Sequence, residues 1–190
     1  MKTKSKSLLL LTAICCLLSA PVFAQQTTIR EVGTFHWKHI AADGKTIIDE
    51  WETSNALADE GESGFLDCTL RATNCPTTYY LRLYNDTPVE TDTLADLTGE
   101  PAGTYGYAAQ AITRDATGWP TLALDSGDFM ATSAVKTFTA SGGSWGPVTY
   151  AVLATTSNNT GKLYSYTALS TSRTLASGES LQVTYRIKLQ

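Results

Sequence analysis

The sequence predicts a mainly β protein, an antiparallel β-sandwich of the jelly-roll kind with one short α-helix. Three observations predict it. Thr, Ser, Gly and Tyr are abundant and Lys and Glu are few, a composition that suits strands better than helices. Short strand-like stretches recur between turn signals along most of the chain. The last stretch is apolar at every second position: Leu181, Val183, Tyr185, Ile187 and Leu189.

Residues 1–24 have the pattern of a secretory signal peptide. A basic start contributes three lysines: Lys2, Lys4 and Lys6. An apolar run follows over residues 8–18, and small residues around Ala24 offer a cleavage site before Gln25. We therefore expect export, to the periplasm, the cell surface or the medium.

Two alternatives for this segment are a membrane anchor and a lipoprotein. The apolar run is about 11 residues, short of the ~20 that span a bilayer. Cys15 and Cys16 follow an apolar run, but Ile14 stands where a lipobox has a small residue. The sequence favours cleavage, which leaves no membrane span.

Cleavage would leave a single β-sandwich domain over residues 25–190. Removing 24 of 190 residues leaves 166, enough to bury a core without metals. It also removes three lysines, so 11 basic residues face 18 acidic ones, a net charge of about −7. A chain this acidic is a poor ligand for nucleic acid and for anionic membranes.

The first part of the domain, residues 25–75, reads as a hairpin followed by a short helix. Strands are expected over residues 28–40 and 46–51, because Asp43-Gly44 between them is a strong hairpin signal. Helical spacing of apolar residues predicts a helix near residues 56–68, capped by Ser54 or Asn55. Gly61 and Gly64 weaken that helix by about 1 kcal/mol each.

Two cysteines remain after cleavage, Cys68 and Cys75. In an exported protein such an even pair predicts a disulfide, which would add roughly 2.5 kcal/mol of stability. It would fasten the end of the helix to the next strand. A redox or metal-binding pair is the alternative, but the spacing differs from C-x-x-C and no histidine is near in sequence.

The second part, residues 77–190, reads as successive strands. Strands are expected over residues 79–84, 105–114, 121–124, 129–139, 148–155, 162–169 and 181–190. A long loop over residues 85–103, a Gly-rich turn over 141–147 and a polar turn over 157–161 separate them. If the last strand lies at a sheet edge, it offers a surface for pairing with a neighbouring molecule.

No residue pattern identifies a catalytic or metal site. His36 and His39 fall on opposite faces of a strand, and no G-x-S-x-G elbow exists. The acidic residues Asp49, Glu50 and Glu52 are an option for a glycoside hydrolase, and the alternative is a solvated hairpin edge. Asp125-Ser126-Gly127-Asp128 lacks EF-hand spacing for calcium. We expect no enzyme activity, no metal and no cofactor.

Aromatic residues are the better indication of binding. Trp119 and Trp145 lie in or beside turns, where an exposed ring would suit stacking on a sugar or contact with a protein. The alternative is that both rings pack in the core of the sandwich.

From residue 51 onward the chain resembles a family of phage virion structural proteins, described as tail or tail-fibre-associated. An ordered series of short motifs carries the resemblance: Trp51-Glu52, Asp59-Glu60-Gly61, Phe65-Leu66-Asp67, Tyr79-Tyr80-Leu81-Arg82-Leu83-Tyr84, Gly106-Tyr107, Arg114, Trp119, Gly161-Lys162-Leu163-Tyr164 and Ser177-Gly178-Glu179-Ser180-Leu181. The resemblance implies a β-sandwich with a structural or adhesive role, without cofactor or catalytic residues. A signal peptide departs from the family's pattern.

These observations lead to the hypothesis of an exported structural or adhesive protein that acts by binding or assembly. The expected partners are a second copy, another envelope or surface protein, or a glycan. A carbohydrate-binding module that uses Trp119 or Trp145 is the first alternative, and a hydrolase built on the carboxylates is the second.

Overall fold

The computed structural model describes residues 31–189, which form two antiparallel β-sheets and one α-helix. The predicted fold class, a β-sandwich with one short helix, is confirmed. The predicted signal peptide lies outside the described residues. In chain order the elements are β1 (Glu31–Ile40), β2 (Ile47–Ser54), β3 (Ala56–Leu57), α1 (Asp59–Arg71), β4 (Thr78–Tyr84), β5 (Gln110–Thr113), β6 (Thr121–Asp125), β7 (Asp128–Thr132), β8 (Lys136–Thr139), β9 (Trp145–Ala154), β10 (Leu163–Leu175) and β11 (Ser180–Leu189).

The first sheet has the order β2-β1-β11-β7-β6, and the second has the order β3-β10-β9-β4-β5. In the first sheet, one side of β11 pairs with two strands. β8 pairs with the first residues of β11, and β7 pairs with residues near its end. The β1–β2 hairpin turns at Asp43, as predicted. One Asp43 carboxylate oxygen accepts the backbone N–H groups of Lys45 and Thr46, both at 2.8 Å, and Gly44 adopts a φ of +69°.

Aromatic rings dominate the core between the two sheets. Trp37 in β1 stacks between Phe35 and Trp51, with ring centroids 5.7 and 6.0 Å apart. Tyr185 of β11 packs on Phe35 at 4.3 Å. The second sheet contributes mainly aliphatic side chains to the same core: Leu81, Leu83, Val148, Ala151, Leu153, Leu169 and Leu175.

The long loop predicted over residues 85–103 covers the outer face of the second sheet. Its Leu94 and Leu97 are buried against Val152 and Leu163 in a second apolar cluster. Arg82 of β4 anchors the loop by donating two hydrogen bonds to the Glu100 carboxylate, at 2.9 and 2.5 Å. The middle strands of this sheet are therefore buried on both faces.

The helix begins and ends three residues later than predicted. Residues 56–57 form β3, which pairs with β10, so they are not free to enter the helix. Neither predicted cap is used, because Ser54 belongs to β2 and the Asn55 amide donates to the Tyr185 hydroxyl at 2.8 Å. The residue before α1, Ala58, makes no side-chain cap.

Several strand bounds differ from the prediction. The stretch expected as one strand over residues 105–114 starts with a 3-10 turn, and only β5 pairs. The strand expected over 129–139 divides into β7 and β8, because Ser133 bonds to the Tyr185 backbone while Ala134 turns to the Gly118 carbonyl. The other long strands keep their predicted places with shifted ends.

The sequence offered the C-terminal strand for pairing with a neighbouring molecule only if it lay at a sheet edge, and the structure places it inside the sheet. β11 pairs with β1 along its whole length and with β7 and β8 on its other side. Its predicted alternation is confirmed, since Leu181, Val183 and Tyr185 are buried. Because three strands depend on β11, removing it would dismantle the first sheet.

Candidate functional site

The predicted disulfide between Cys68 and Cys75 is present, with the two Cα atoms 4.7 Å apart. It joins the last turns of α1 to the segment that leads into β4. The Arg114 guanidinium donates to the Cys68 sulfur at 3.0 Å, and the Arg114 backbone N–H donates to the Thr77 carbonyl at 2.9 Å. The disulfide thus helps to fix the position of an arginine that follows β5.

Beside this arginine lies an apolar pocket of about 220 Å³ between α1 and the two sheets. Both sheets and α1 line it. Six of the residues that line it are apolar: Leu57, Phe65, Trp119, Ala131, Leu153 and Ile187. Arg114 is the charged side chain at its wall, where Tyr79 and Tyr164 add phenol groups.

The two phenols form an edge-on ring pair with centroids 5.1 Å apart. The Tyr164 hydroxyl is buried and lies close to that of Tyr79, but it makes no hydrogen bond of good geometry. Burial raises the pKa of both phenols above the usual value of 10.0, and the nearby Arg114 charge only partly opposes this. Both groups are therefore neutral at neutral pH and able to donate hydrogen bonds into the pocket.

A second candidate surface lies at the far edge of the first sheet, on the β6–β7 hairpin. All five residues of β6 are exposed, including Leu122 at 72% and Leu124 at 65%. Their partners across the hairpin are Ala131 and Phe129, the latter 57% exposed. Ala131 also pairs with Ile187, which packs on the core, so this apolar face continues the inner face of the sheet.

The other free sheet edges of the described residues carry features that discourage pairing. The edge strand β2 bears Asp49, Glu50 and Glu52. The remaining edges are short, since β3 has two residues and β5 and β8 have four each, with Lys136 at the start of β8. Charge and shortness are the usual protections of a sheet edge. β6 carries only Asp125 at its end, which Lys188 pairs at 3.2 Å.

The structure does not present the two predicted binding tryptophans as exposed rings. Trp145 is 4% exposed and packs edge-on against Tyr107 in the core, because β9 begins at this residue and turns its ring inward. Trp119 is half-buried and packs against Tyr185 at 6.1 Å. Both rings therefore pack on the core of the sandwich, which is the alternative stated from the sequence. Trp119 also lines the apolar pocket.

The acidic residues considered for catalysis are engaged in ion pairs. Asp49 binds Arg173 at 2.5 Å, Glu50 binds Lys38 at 3.3 Å and Glu52 binds Arg186 at 2.9 Å. The bond to Arg173 is the main cause that lowers the pKa of Asp49. These side chains lie along an edge strand and outside the pockets described above.

The histidines lie on opposite faces of β1, as predicted. His39 contacts Glu179 at 3.2 Å on the buried face, whereas His36 is on the outer face. Across residues 31–189 no three His, Cys, Asp or Glu side chains converge as a metal ion would require. None of the helices found in that range combines the length and apolar character that a bilayer crossing requires.

The fold and these surfaces define a class: a mainly β module that presents an open strand and an apolar pocket, with the acidic residues of β2 held in ion pairs. The comparison with known families agrees with that class. The profile of the family "Podophage GP4 fiber I protein gp80" matches residues 56–187, more than two thirds of the chain. The chain belongs to this family, and is therefore a structural phage protein of the fibre type. The resemblance stated from the sequence is confirmed.

No curated protein and no solved structure matches the chain significantly. The match extends from β3 into β11 and leaves out the whole β1–β2 hairpin. The sequence analysis did not identify two parts of the candidate surfaces. Arg114 has no neighbouring residues that indicate a binding site, because only the folded chain brings it to the pocket. Leu122 and Leu124 did carry an indication of an exposed edge, since they alternate with uncharged residues in a predicted strand.

Proposed function

We propose that this chain is an exported fibre-type structural protein that associates with a second copy of itself through β6. The observation that carries the proposal is the unprotected edge: β6 combines free backbone groups with two exposed leucines, whereas the other edges are charged or short. An exposed apolar edge strand is a ready template for pairing.

The sequence of β6 suits pairing with its own copy. In an antiparallel arrangement centred on Ala123, Leu122 of one copy lies opposite Leu124 of the other, and Thr121 lies opposite Asp125. No like charges meet, and both leucine pairs fall on the same face. Such a two-fold contact is self-complementary, as the commonest symmetric dimers are. The neighbouring Phe129 would be covered as well.

Export is supported by the pattern of residues 1–24 and by the disulfide. Disulfides persist mainly in oxidising compartments, and Cys68 and Cys75 are joined in this structure. The mass of the protein recovered from outside the cytoplasm tests this part. A chain that begins at Gln25, with two cysteines protected from alkylation until reduction, would support export; a full-length or lipid-bearing chain would contradict it.

Self-association is tested by sedimentation velocity over a wide range of concentrations. We expect concentration-dependent dimers in the wild type and none in the Leu122→Lys or Leu124→Lys variants, because a buried unpaired charge at the edge opposes pairing. Leu70→Lys is the matched control, since Leu70 is 75% exposed and lies on α1, outside the strands of the sheet. Thermal unfolding of each monomer checks that the fold is kept.

Two results would reject association through β6. One is a wild type that stays monomeric at every concentration. The other is an equal loss of dimer in Leu70→Lys, which would place the contact elsewhere or make it unspecific.

A further inference from the structure

We propose that the pocket under α1 binds a small amphiphile, an apolar chain or ring system of about nine carbons that carries a carboxylate. The size follows from the volume of about 220 Å³. An apolar cavity of about 150 Å³ accommodates benzene, and scaling from six carbons gives about nine. This inference does not depend on association through β6.

The walls of the pocket separate an apolar part from a polar part. Ala131 and Ile187 pair across two strands of the first sheet, and Trp119, Leu57 and Leu153 add further apolar side chains to the lining. Pockets that are largely apolar with a few convergent polar groups are the usual form of small-molecule sites. The apolar part would hold the tail of the ligand.

The polar part gathers a cation and two phenols. Arg114, Tyr79 and Tyr164 all line the pocket, the two phenol rings are in edge-on contact, and the Arg114 charge acts on both of them. Within residues 31–189 Arg114 forms no ion pair, and its side-chain contact is the Cys68 sulfur. The acidic group that acts on Tyr164, that of Asp67, is held by Arg71 at 2.8 Å and by Asn74 at 3.3 Å.

Tyr164 is the independent sign that a polar ligand atom belongs here. The residue is 7% exposed and lines the pocket, and its buried hydroxyl lies close to that of Tyr79 without making a hydrogen bond of good geometry to it or to any other group of residues 31–189. A buried polar atom left in this state destabilises a protein unless a ligand or water completes it. By contrast, the neighbouring Ser165 and Tyr185 hydroxyls already bond to each other at 3.2 Å. A carboxylate would accept from the Tyr164 hydroxyl while it pairs with Arg114.

Calorimetric titration of the oxidised full chain tests the inference with three probes that share one tail: nonanoate, nonanol and nonyltrimethylammonium. The wild type should bind nonanoate most tightly and the ammonium most weakly. Arg114→Gln should weaken nonanoate binding about tenfold, as for the loss of one charge-assisted hydrogen bond, and leave nonanol within about twofold. Arg186→Gln, the same change on an arginine paired with Glu52, is the control and should change neither.

Ala131→Leu places a larger side chain in the pocket and should abolish binding of nonanoate and nonanol alike. Amide chemical-shift changes in the wild type provide a test that needs no variant, and they should centre on Trp119, Ala131 and Leu153. The inference is overturned if the wild type binds none of the probes, if nonanoate binds Arg114→Gln as tightly as the wild type, or if the shift changes centre elsewhere.

Discussion

At the scale of single residues, the most connected side chain is Arg82. It is 1% exposed, and besides Glu100 it donates to the Asn158 carbonyl at 2.9 Å and to the Asn159 side chain at 2.7 Å. The Tyr107 hydroxyl donates to the same Glu100 carboxylate at 2.9 Å. Burial disfavours the Arg82 charge and is the largest single influence on it, but the hydrogen bond to Glu100 and the electrostatic effects of Glu100, Tyr84 and Tyr107 together outweigh it, so the pKa of Arg82 is raised. One guanidinium thus fastens two loops to β4.

Arg82→Leu should therefore lower the free energy of unfolding by about 3 kcal/mol, because it leaves Glu100 and two loop acceptors without their donor. Urea denaturation of the oxidised protein measures this. Arg186→Leu is the matched control. It breaks a more exposed pair with Glu52 and should cost less than about 1 kcal/mol. If the two variants lost the same free energy of unfolding, burial would not be the reason why the ion pair between Arg82 and Glu100 stabilises the fold.

At the scale of elements, the packing of α1 on β10 depends on glycine. A Cβ atom on Gly61 would fall on the Tyr164 backbone carbonyl, whereas a Cβ atom on Gly64 would come within 2.8 Å of the Tyr164 hydroxyl. The close approach also lets the Ala58 N–H reach the Tyr164 carbonyl at 3.1 Å. The two glycines that lower the helix propensity of α1 are therefore the residues that allow it to pack closely against β10.

Gly61→Ala should therefore destabilise the protein by about 2 kcal/mol, although alanine gains about 1 kcal/mol in helix propensity. Gly64→Ala should cost less, since the Tyr164 ring end can move and a backbone carbonyl cannot. Ser63→Ala, on the exposed face of α1, is the control and should leave stability unchanged or slightly higher. Thermal unfolding of the three variants decides the order. A stabilised Gly61→Ala would refute the close packing.

The same elements show what the sequence could predict. Alternation along β11 identifies which face is buried, because side chains alternate across a strand, and the hairpin at Asp43 follows from local turn chemistry. Neither signal says which strand lies beside which. The central place of β11 depends on pairs such as Phe35 with Tyr185, which are far apart in sequence.

The pocket could not be predicted for a related reason. Phe65, Arg114 and Ile187 come from three separate parts of the chain, and only the docking of α1 over the sheet edge brings them together. The loop over residues 85–103 was predicted from the sequence, but its packing over Val152 was not, because Leu94 and Leu97 are isolated apolar residues in a polar stretch.

At the scale of the whole molecule, ionisable groups make folding stability depend on pH at both ends of the range. On the acid side, hydrogen bonds lower the pKa of four aspartates below 3.8, within turns for three of them and across the long loop to Thr98 for Asp86: Asp43, Asp86, Asp96 and Asp115. The unfolded chain then takes up protons at a higher pH than the folded one. Their stabilisation is complete above the unfolded pKa and is lost as the pH falls through the lowered folded values.

On the alkaline side, burial raises the pKa of five phenols above 10.0: Tyr79, Tyr84, Tyr107, Tyr164 and Tyr166. The unfolded chain loses these protons first, so the stabilisation is complete below pH 10.0 and is lost as the pH rises toward the folded values. Plotted against pH, the urea midpoint should show a broad plateau that falls below about pH 4 and above about pH 10.

Two substitutions test the acid and the alkaline decline of the urea midpoint separately, and each serves as the control for the other. Asp115→Asn should flatten the acid limb alone, because it removes a carboxylate that accepts the Gly118 and Thr117 N–H groups. Tyr107→Phe should flatten the alkaline limb alone, since it removes a buried phenol next to Glu100, and should lower the plateau by the loss of its hydrogen bonds. Tyrosinate absorbance during the alkaline titration should rise together with unfolding. Phenols that ionise fully while the protein stays folded would contradict this account, because the buried rings would then be open to solvent.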